Sequence, residues 1–443
     1  VPEHSFTDIQ TLYELYRSHP KVVTDSRQVA PGCLFFALRG DKFDGNAFAS
    51  AALEAGAAYA VIDDAQCQAS DRLLLVKDVL STLQELSRHH RRQFNIPVIA
   101  ITGSNGKTTT KELVNCVLSS QYSAHCTKGN LNNHIGVPLT LLAMPPKTEI
   151  AIIEMGANHP GEIDFLCRIA EPTHGLITNV GKAHLEGFGG FEGVKRTKSE
   201  LYRFLDGCNG LLFVNADEPY LPALAETARR KLFYGRVREG ETGVDAPFGV
   251  RLESEDPFVV ASFPTARGET VRVHSHLVGY HNFQNIMTAI ALGKFFSVPD
   301  EKIKEAIEGY VPSNNRSQWL TLGTNTFLLD AYNANPTSMK HALEAFSRHR
   351  AGRKLAVLGA MLELGEYSDA EHLDIARFAR EQAFESLVLV GKEFERAAAD
   401  TGALFFQNTE ALKAWFQQQH FSGVHVLVKG SRSIGLERLL ENK

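Results

Sequence analysis

Apolar residues in this chain fall into short blocks separated by stretches with helical spacing, and the alternation runs through nearly the whole sequence. Phe6 to Tyr16 has helix-like spacing, and Gly32 to Leu38 reads as a short buried strand closed by Arg39-Gly40-Asp41. Ala47 to Ala57 predicts an alanine-rich helix, followed by strands at Ala58–Ile62 and Leu73–Val76. A helix over Val79 to Phe94 leads into the apolar run Ile96 to Ile101. A polar, glycine-containing turn then precedes a helix with Leu113, Val114, Val117 and Leu118 on one face. Further strands are predicted at Glu149–Ile153, Gly175–Thr178 and Leu211–Val214. Between about 236 and 278 the pattern tightens to strict alternation, as in Phe258–Phe263 and Val271–Leu277, which predicts antiparallel strands. A helix then begins near Gly279 and runs through Leu292. From Pro312 onward two short strands within Leu320–Leu329 precede a helix opening at Thr337. Strand–helix pairs follow at Leu355–Leu358, Leu387–Val390, Ala403–Phe406 and Val424–Val428.

Strands alternating with helices predict an α/β protein with open parallel sheets. At 443 residues the chain exceeds one ordinary core. The expected division is a small α/β N-terminal domain (1–80), a central P-loop parallel-sheet ATPase domain (81–311) and a C-terminal Rossmann-like α/β domain (312–443). No strand of the last unit is followed by GxGxxG, so a dinucleotide fingerprint is absent there.

Composition narrows the function classes. The net charge of −5 gives no electrostatic support for nucleic-acid binding. The six cysteines show no CxxC spacing, which suits a reducing compartment. Val1-Pro-Glu-His-Ser5 lacks a basic region followed by an apolar core, and no apolar run is long enough to span a bilayer. A cytoplasmic protein without membrane insertion is expected.

The candidate chemistry centres on Thr102-Gly103-Ser104-Asn105-Gly106-Lys107-Thr108-Thr109. A strand, a glycine-rich turn and a helix N-terminus together suit phosphate, because backbone N–H groups and the helix dipole converge on the anion. Lys107 can reach the outer phosphates and the Thr108 hydroxyl can ligate magnesium. The common pattern asks for glycine where Ile101 stands, so this is a shortened loop. Sheets of this kind bind ligands beyond the carboxyl ends of their strands. Polar residues there are therefore candidates: Glu154, the run Asn179–His184, and Asn215-Ala-Asp217. Glu154 is read as a magnesium ligand or as a cap for the helix after Pro160. Asn282 and Asn285, one turn apart, can face one ligand. Thr24-Asp-Ser-Arg27 and Gly40–Asn46 are open to turn chemistry as well as to binding.

With these motifs in order, the chain resembles the Mur ligases, the ATP-dependent amide-bond-forming family of bacterial cell-wall synthesis. The resemblance covers nearly the full length. It rests on Thr102–Thr108, Glu154-Met-Gly-Ala157, Asn179–His184, Lys198-Ser-Glu200, His281-Asn-Phe-Gln-Asn285, Arg316 and Asp330–Asn335. Within the family, Gly129–Asn133 with Ile135–Leu139, the loop Tyr332–Pro336 and Leu358–Gly365 are similar to members that add D-Ala-D-Ala to UDP-MurNAc-tripeptide. Thr24–Arg27 and Phe36–Gly40 resemble the family's uridine-nucleotide-binding domain.

The resemblance implies roles by position. Gly103, Ser104, Asn105, Gly106, Lys107, Thr108 and Thr109 would hold ATP phosphates, while Thr108, Glu154, His184 and Lys198 would hold Mg²⁺. Lys198 would be carbamylated, since an ammonium beside the metal is repelled whereas a carbamate is a ligand. Without the family match it reads as a solvated helix lysine. Asn282 and Asn285 would contact adenine, Arg316 the γ-phosphate and Asp330 the ribose. Ser26 and Arg27 would bind the UDP end, and Asn333 and Asn335 are candidates for the dipeptide. Lys107, Lys198, His184 and Arg316 form the implied catalytic set, and a monomer is expected.

Two positions depart from the family pattern: Asn46 stands where histidine is common, and His134 where aspartate is expected. The last domain lacks the Asp-Asn-Pro-Arg signature of the diamino-acid-adding members. Folylpolyglutamate synthases lack the first domain. A nucleotide-binding regulator would not need Lys198, His184, Glu154 and Arg316 together.

Overall fold

The computed structural model describes residues 6–237, 248–312 and 315–441. The leader reading at residues 1–5 and the part of the alternating segment over 238–247 lie outside the described residues. Three sheets carry the architecture, with a two-residue-per-strand hairpin beside the first. The first sheet is parallel, in the order β1 (Val22–Val23), β2 (Leu34–Phe36), β5 (Tyr59–Ile62), β6 (Leu73–Leu75). The hairpin is β3 (Arg39–Gly40) and β4 (Phe43–Asp44). The expected helix over 47–57 is shorter, a 3₁₀ turn at Gly45–Phe48 followed by Ala49–Glu54. The Asp44 side chain accepts from Asn46 N–H and starts the turn early.

The helix Val79–Arg91, capped by Asp78, leads from this sheet to the next. In the second sheet the parallel strands are β7 (Val98–Thr102), β8 (Ala124–Cys126), β9 (Ile150–Glu154), β10 (His174–Ile177), β11 (Leu211–Asn215), β12 (Lys231–Arg236) and β13 (Gly249–Ser254). An antiparallel extension is formed by β14 (Val260–Pro264) and β15 (Thr270–His274). The order is β15-β14-β13-β12-β11-β10-β7-β9-β8, so β7 lies between β10 and β9 and the loop after it opens between their ends. The strands β7, β9 and β11 are buried at every position, which explains their unbroken apolar runs. The sequence reading passed over β8 and β12: β8 has only three residues, and β12 begins with Lys231 and ends with Arg236.

The third sheet runs β16-β17-β21-β18-β19-β20, with the hairpin β16 (Gln318–Leu322) and β17 (Asn325–Asp330) at one edge. Its other strands, β18 (Arg353–Gly359), β19 (Ser386–Val390), β20 (Leu404–Phe406) and β21 (Val424–Lys429), are parallel to β17. One apolar cluster runs from the second unit into the third, joining Ile153, Leu185 and Leu201 to Met339, Phe346 and Leu358. On the opposite face of the second sheet, the helices Lys107–Ser119 and Tyr280–Phe295 pack together over β7 and β9. No helix among the described residues is long and apolar enough to cross a membrane.

Ile152 is fully buried at the centre of β9. Ile152→Ala removes packing from that face and should destabilise the fold by about 2–5 kcal/mol, read as a lower urea midpoint.

Candidate active site

The glycine-rich turn after β7 is shaped by close backbone approach. At Gly103, φ is +144° and a Cβ would stand 2.0 Å from Thr178 Oγ1; at Gly106, φ is +77° and a Cβ would stand 2.7 Å from Asn285 Oδ1. Only glycine fits both the angle and the space. The loop is pinned from the end of β10: Ser104 N–H donates to Asn179 O at 3.0 Å, Asn105 N–H to Asn179 Oδ1 at 3.0 Å, and Gly181 N–H to Ser104 Oγ at 2.9 Å. Lys107 opens the following helix, and its Nζ donates back to Gly103 O at 2.8 Å and Ser104 O at 3.2 Å. Burial pushes the Lys107 ammonium down from its ordinary range; nearby Glu154 opposes this and Arg316 adds to it.

Glu154 closes β9 beside this loop at 1% exposure. Its Oε1 accepts from Asn132 Nδ2 at 2.7 Å and from Thr108 Oγ1 at 3.2 Å, while its buried Oε2 has no hydrogen-bond partner. Lys111 Nζ lies 4.0 Å from that oxygen. Capping of the next helix, the other reading of Glu154, is done instead by Glu200, which accepts from Gly161 N–H at 2.8 Å and Asp164 N–H at 3.0 Å. A buried carboxyl oxygen without a donor is a position for a cation. Among the described residues no group of three or more His, Cys, Asp or Glu side chains is gathered for a metal. The protein thus offers a carboxylate and a hydroxyl, the sparse set that suits magnesium held together with nucleotide phosphates.

The cavity in front of these groups has a volume of about 520 Å³ and lies between the second and third sheets. Ser104 through Thr109, Glu154, His184, Asn282, Asn285, Arg316, Asp330, Asn333 and Asn335 all line it. Of the remaining sequence candidates, Gly103, at the start of the turn, and Lys198 lie outside the lining. Ser26 and Arg27 belong to the first unit and are also away from this cavity. Arg27 is an exposed side chain paired with Asp25 at 2.8 Å, and Asp25 caps the 3₁₀ turn, so turn chemistry accounts for their local geometry. Asn46, the departure noted above, is buried and binds Asp44, Asp63 and Asp64. It ties this loop to the end of β5.

Lys198 corrects its reading as a solvated lysine. It is 1% exposed at the end of the helix Phe191–Lys198, with Nζ 5.3 Å from the Phe188 ring centroid. Burial, reinforced by the Lys107 charge, pushes its amine well below the usual lysine range. His184 adopts a left-handed backbone (φ 51°) and places Nδ1 2.5 Å from Glu363 Oε2 of the third unit. That pairing holds the Glu363 carboxyl below its usual range.

Asn282 and Asn285 start the helix Tyr280–Phe295, whose N-cap is Gly279, so neither caps it. Asn285 accepts from Thr110 Oγ1 at 2.9 Å and donates to Asn282 Oδ1 at 3.0 Å, which fastens this helix to the phosphate-loop helix. Arg316 stacks its guanidinium 3.7 Å from the Tyr332 ring centroid. For Asp330, burial raises the pKa, but buried Lys429, 2.6 Å away, outweighs it and the carboxyl is held low. Asn333 O accepts from the same Lys429 at 3.2 Å. Asn335 caps the helix Pro336–Arg348 in a capping box, and its Nδ2 donates to Asn105 Oδ1 at 2.7 Å across the domain boundary.

Sequence reasoning gave no role to Asn132, His281 and Glu363, although all three lie inside quoted motifs, nor to Lys429, the last residue of β21. His281 also lines the cavity; burial, with His341 stacked alongside, pushes its imidazole down to about 3.

A phosphate-loop helix, a buried carboxylate beside it and a second α/β unit across the cleft suit an enzyme that works on a nucleotide. The chain belongs to the Mur ligase family. Its residues 21–99 match the Mur ligase family catalytic domain, 101–293 the Mur ligase middle domain and 315–432 the Mur ligase glutamate ligase domain. It is 34% identical to the UDP-N-acetylmuramoyl-tripeptide–D-alanyl-D-alanine ligase of Bacillus subtilis, over 95% of this chain and 92% of that protein. The enzyme of the same name from Escherichia coli is also 34% identical, with the same coverage. Among solved structures, MurF from Acinetobacter baumannii superposes with a TM-score of 0.85 at 31% identity, covering 99% of both chains. MurF from Thermotoga maritima in complex with ADP gives 0.81 at 29% identity, over 95% of this chain and 96% of that one.

One buried carboxyl behind the site sets a pH dependence. Glu218 Oε1 accepts from Val180 N–H at 3.1 Å, under the Asn179–His184 loop, and its buried Oε2 has no hydrogen-bond partner. Burial pushes its pKa up to about 7, with the Val180 N–H opposing the shift. A carboxyl with a raised folded-state pKa contributes full stability below its unfolded pKa and loses it as pH rises through about 7. Glu218→Gln, which cannot ionise, should therefore raise the melting temperature relative to the parent more at pH 8 than at pH 5. Differential scanning fluorimetry at the two pH values checks this.

Proposed function

We propose that this chain is an ATP-dependent ligase that joins D-Ala-D-Ala to UDP-MurNAc-tripeptide in peptidoglycan synthesis, acting as a cytoplasmic monomer. The observation that carries the reading is the convergence in one cleft of the phosphate loop, the Glu154 carboxyl with an oxygen left without a hydrogen bond, and Arg316 and Asp330 from the third unit. Residues 1–80 are assigned the UDP end of the sugar nucleotide, with Ser26 and Arg27 among its contacts. Residues 81–311 are assigned ATP, and 312–443 the closing domain with Asn333 and Asn335 near the dipeptide.

The tripeptide carboxylate oxygen attacks the γ-phosphorus of ATP, ADP leaves, and an acyl phosphate remains. The D-Ala-D-Ala amine then attacks the acyl carbon; the tetrahedral intermediate expels inorganic phosphate and the amine gives up a proton. The reacting groups are mostly anionic, so charge neutralisation and alignment supply most of the catalysis. Loop N–H groups and Lys107 cradle the outer phosphates once the Lys107 ammonium turns from Gly103 O and Ser104 O toward the nucleotide. Arg316 meets the transferred phosphoryl group, held in place by its stack on Tyr332. Asp330, held ionised by Lys429, accepts from the ribose hydroxyls. Asn282 and Asn285 face the adenine.

Thr108, Glu154, His184 and carbamylated Lys198 are the residues assigned to Mg²⁺. When bound, the ion neutralises phosphate charge at the transferred group. The depressed Lys198 supports carbamylation, because a neutral amine adds CO₂ with loss of one proton. Glu363 on His184 orients the ring from the closing domain.

Phosphate release should require UDP-MurNAc-tripeptide and D-Ala-D-Ala together and should not respond to single amino acids. Turnover with a single amino acid instead would place the chain elsewhere in the family. Lys198→Ala should lower kcat by about 100-fold and regain part of it with added short-chain carboxylates, measured in the same assay. An undiminished kcat would remove the carbamate from the mechanism.

A further inference from the structure

The loop Thr127–Gly136 is fastened to the end of β9 by its backbone. Gly156 N–H donates to Asn132 O at 2.8 Å, and Asn132 N–H donates to Asn130 O at 2.8 Å. Glu154 N–H donates to Thr127 Oγ1 at 3.0 Å. The neighbouring Asn133 starts the next helix, its Oδ1 accepting from Ile135 N–H at 3.1 Å and Gly136 N–H at 2.8 Å. These bonds fix the loop without the Asn132 side chain. That amide lies against Gly156, where a Cβ would come within 2.9 Å of it, and points at Glu154 Oε1.

We infer that Asn132 is a positioning residue: its amide occupies one oxygen of Glu154 and sets the carboxylate plane, so that the other, buried oxygen is the one presented to the metal. The inference rests on the reading of Glu154 as a metal ligand. The two oxygens differ in their partners. Oε1 is held by two donors, Asn132 Nδ2 and Thr108 Oγ1, whereas Oε2 is buried with no hydrogen-bond partner and has only the Lys111 ammonium near it, at 4.0 Å. A carboxylate free to rotate about its last torsion would exchange the two and lose the fixed direction. Partners of metal ligands commonly act in this way, holding orientation rather than touching the ion. The same loop reaches the helix Val79–Arg91, where Gln84 Nε2 donates to His134 O at 3.0 Å. The positioning amide therefore sits on a segment that also contacts the connection to the first domain.

The test is Mn²⁺ binding to the full-length protein with a non-hydrolysable ATP analogue, followed by electron paramagnetic resonance. Asn132→Ala should weaken Mn²⁺ about 10-fold or more. Asn132→Leu keeps the side-chain volume beside Gly156 but has no N–H, and should weaken it equally. Leucine retaining parent affinity where alanine loses it would make the effect one of packing and overturn the inference, as would parent affinity in both variants. Glu154→Gln separates the two readings. If it weakens Mn²⁺ binding while the Asn132 variants do not, only the positioning role falls. If it leaves Mn²⁺ binding intact, the metal-ligand reading falls and takes this one with it.

Discussion

A carboxyl group placed at the end of a fully buried strand has to be matched by donors or a cation, and Glu154 imposes that demand on everything around it. The strand cannot give it up, because β9 lies beside β7 at the middle of the sheet and its apolar neighbours fix where Glu154 emerges. Thr108 answers from the helix after β7, Asn132 from the loop after β8, and Lys111 approaches from one helical turn further on. Each of these elements sends one side chain to the same carboxyl. One of its oxygens is left without a hydrogen bond, and the Lys111 ammonium is the charge that faces it.

The phosphate loop meets a different limit, that of space. Gly103 and Gly106 let Thr178 and Asn285 come closer than any side chain permits, and Gly181 does the same for Thr337 of the third unit. The phosphate loop therefore touches the segment after β10 and the helix Tyr280–Phe295, and it reaches the third unit through Asn105, while the segment after β10 reaches it through Gly181. Polar bonds follow the contacts: Lys182 N–H donates to Thr337 Oγ1 at 3.0 Å, Lys182 pairs with Glu371, and His184 meets Glu363. The nucleotide loop and the domain boundary share residues, which makes closure and phosphate geometry one structural problem.

Much of this was legible in the chain because strands buried on both faces leave unbroken apolar runs, and residues just beyond them are forced to the ligand-binding edge. That logic placed Glu154 and His184 in the cleft from position alone, while Asn215 and Asp217, chosen on the same ground, do not line it. It worked less well where a residue's meaning lies in a partner far along the chain. Nothing near Lys198 in the sequence marks it as buried; its helix carries Lys195 and Arg196, and tertiary packing, with Phe188 beside its amine, takes it out of water. Asp330 needs Lys429, about a hundred residues later, to be held low despite its burial. Asn335 reads as a substrate contact from its loop, yet its amide is already engaged with Asn105 and its carbonyl oxygen with the helix start. Ser26 and Arg27 show the reverse case, a polar cluster whose local bonds are those of an ordinary turn.

The bond between Asn105 and Asn335 has a pharmacological consequence. A compound designed to wedge between the nucleotide loop and the closing domain competes with a contact that the protein makes with itself. Its apparent affinity is its intrinsic affinity scaled by the fraction of molecules in which that seam stands open. Compounds that leave the seam intact and fill the cavity behind it escape this penalty. They gain further from every interaction that keeps the two units together, so the same asparagine pair that resists one class of inhibitor favours the other.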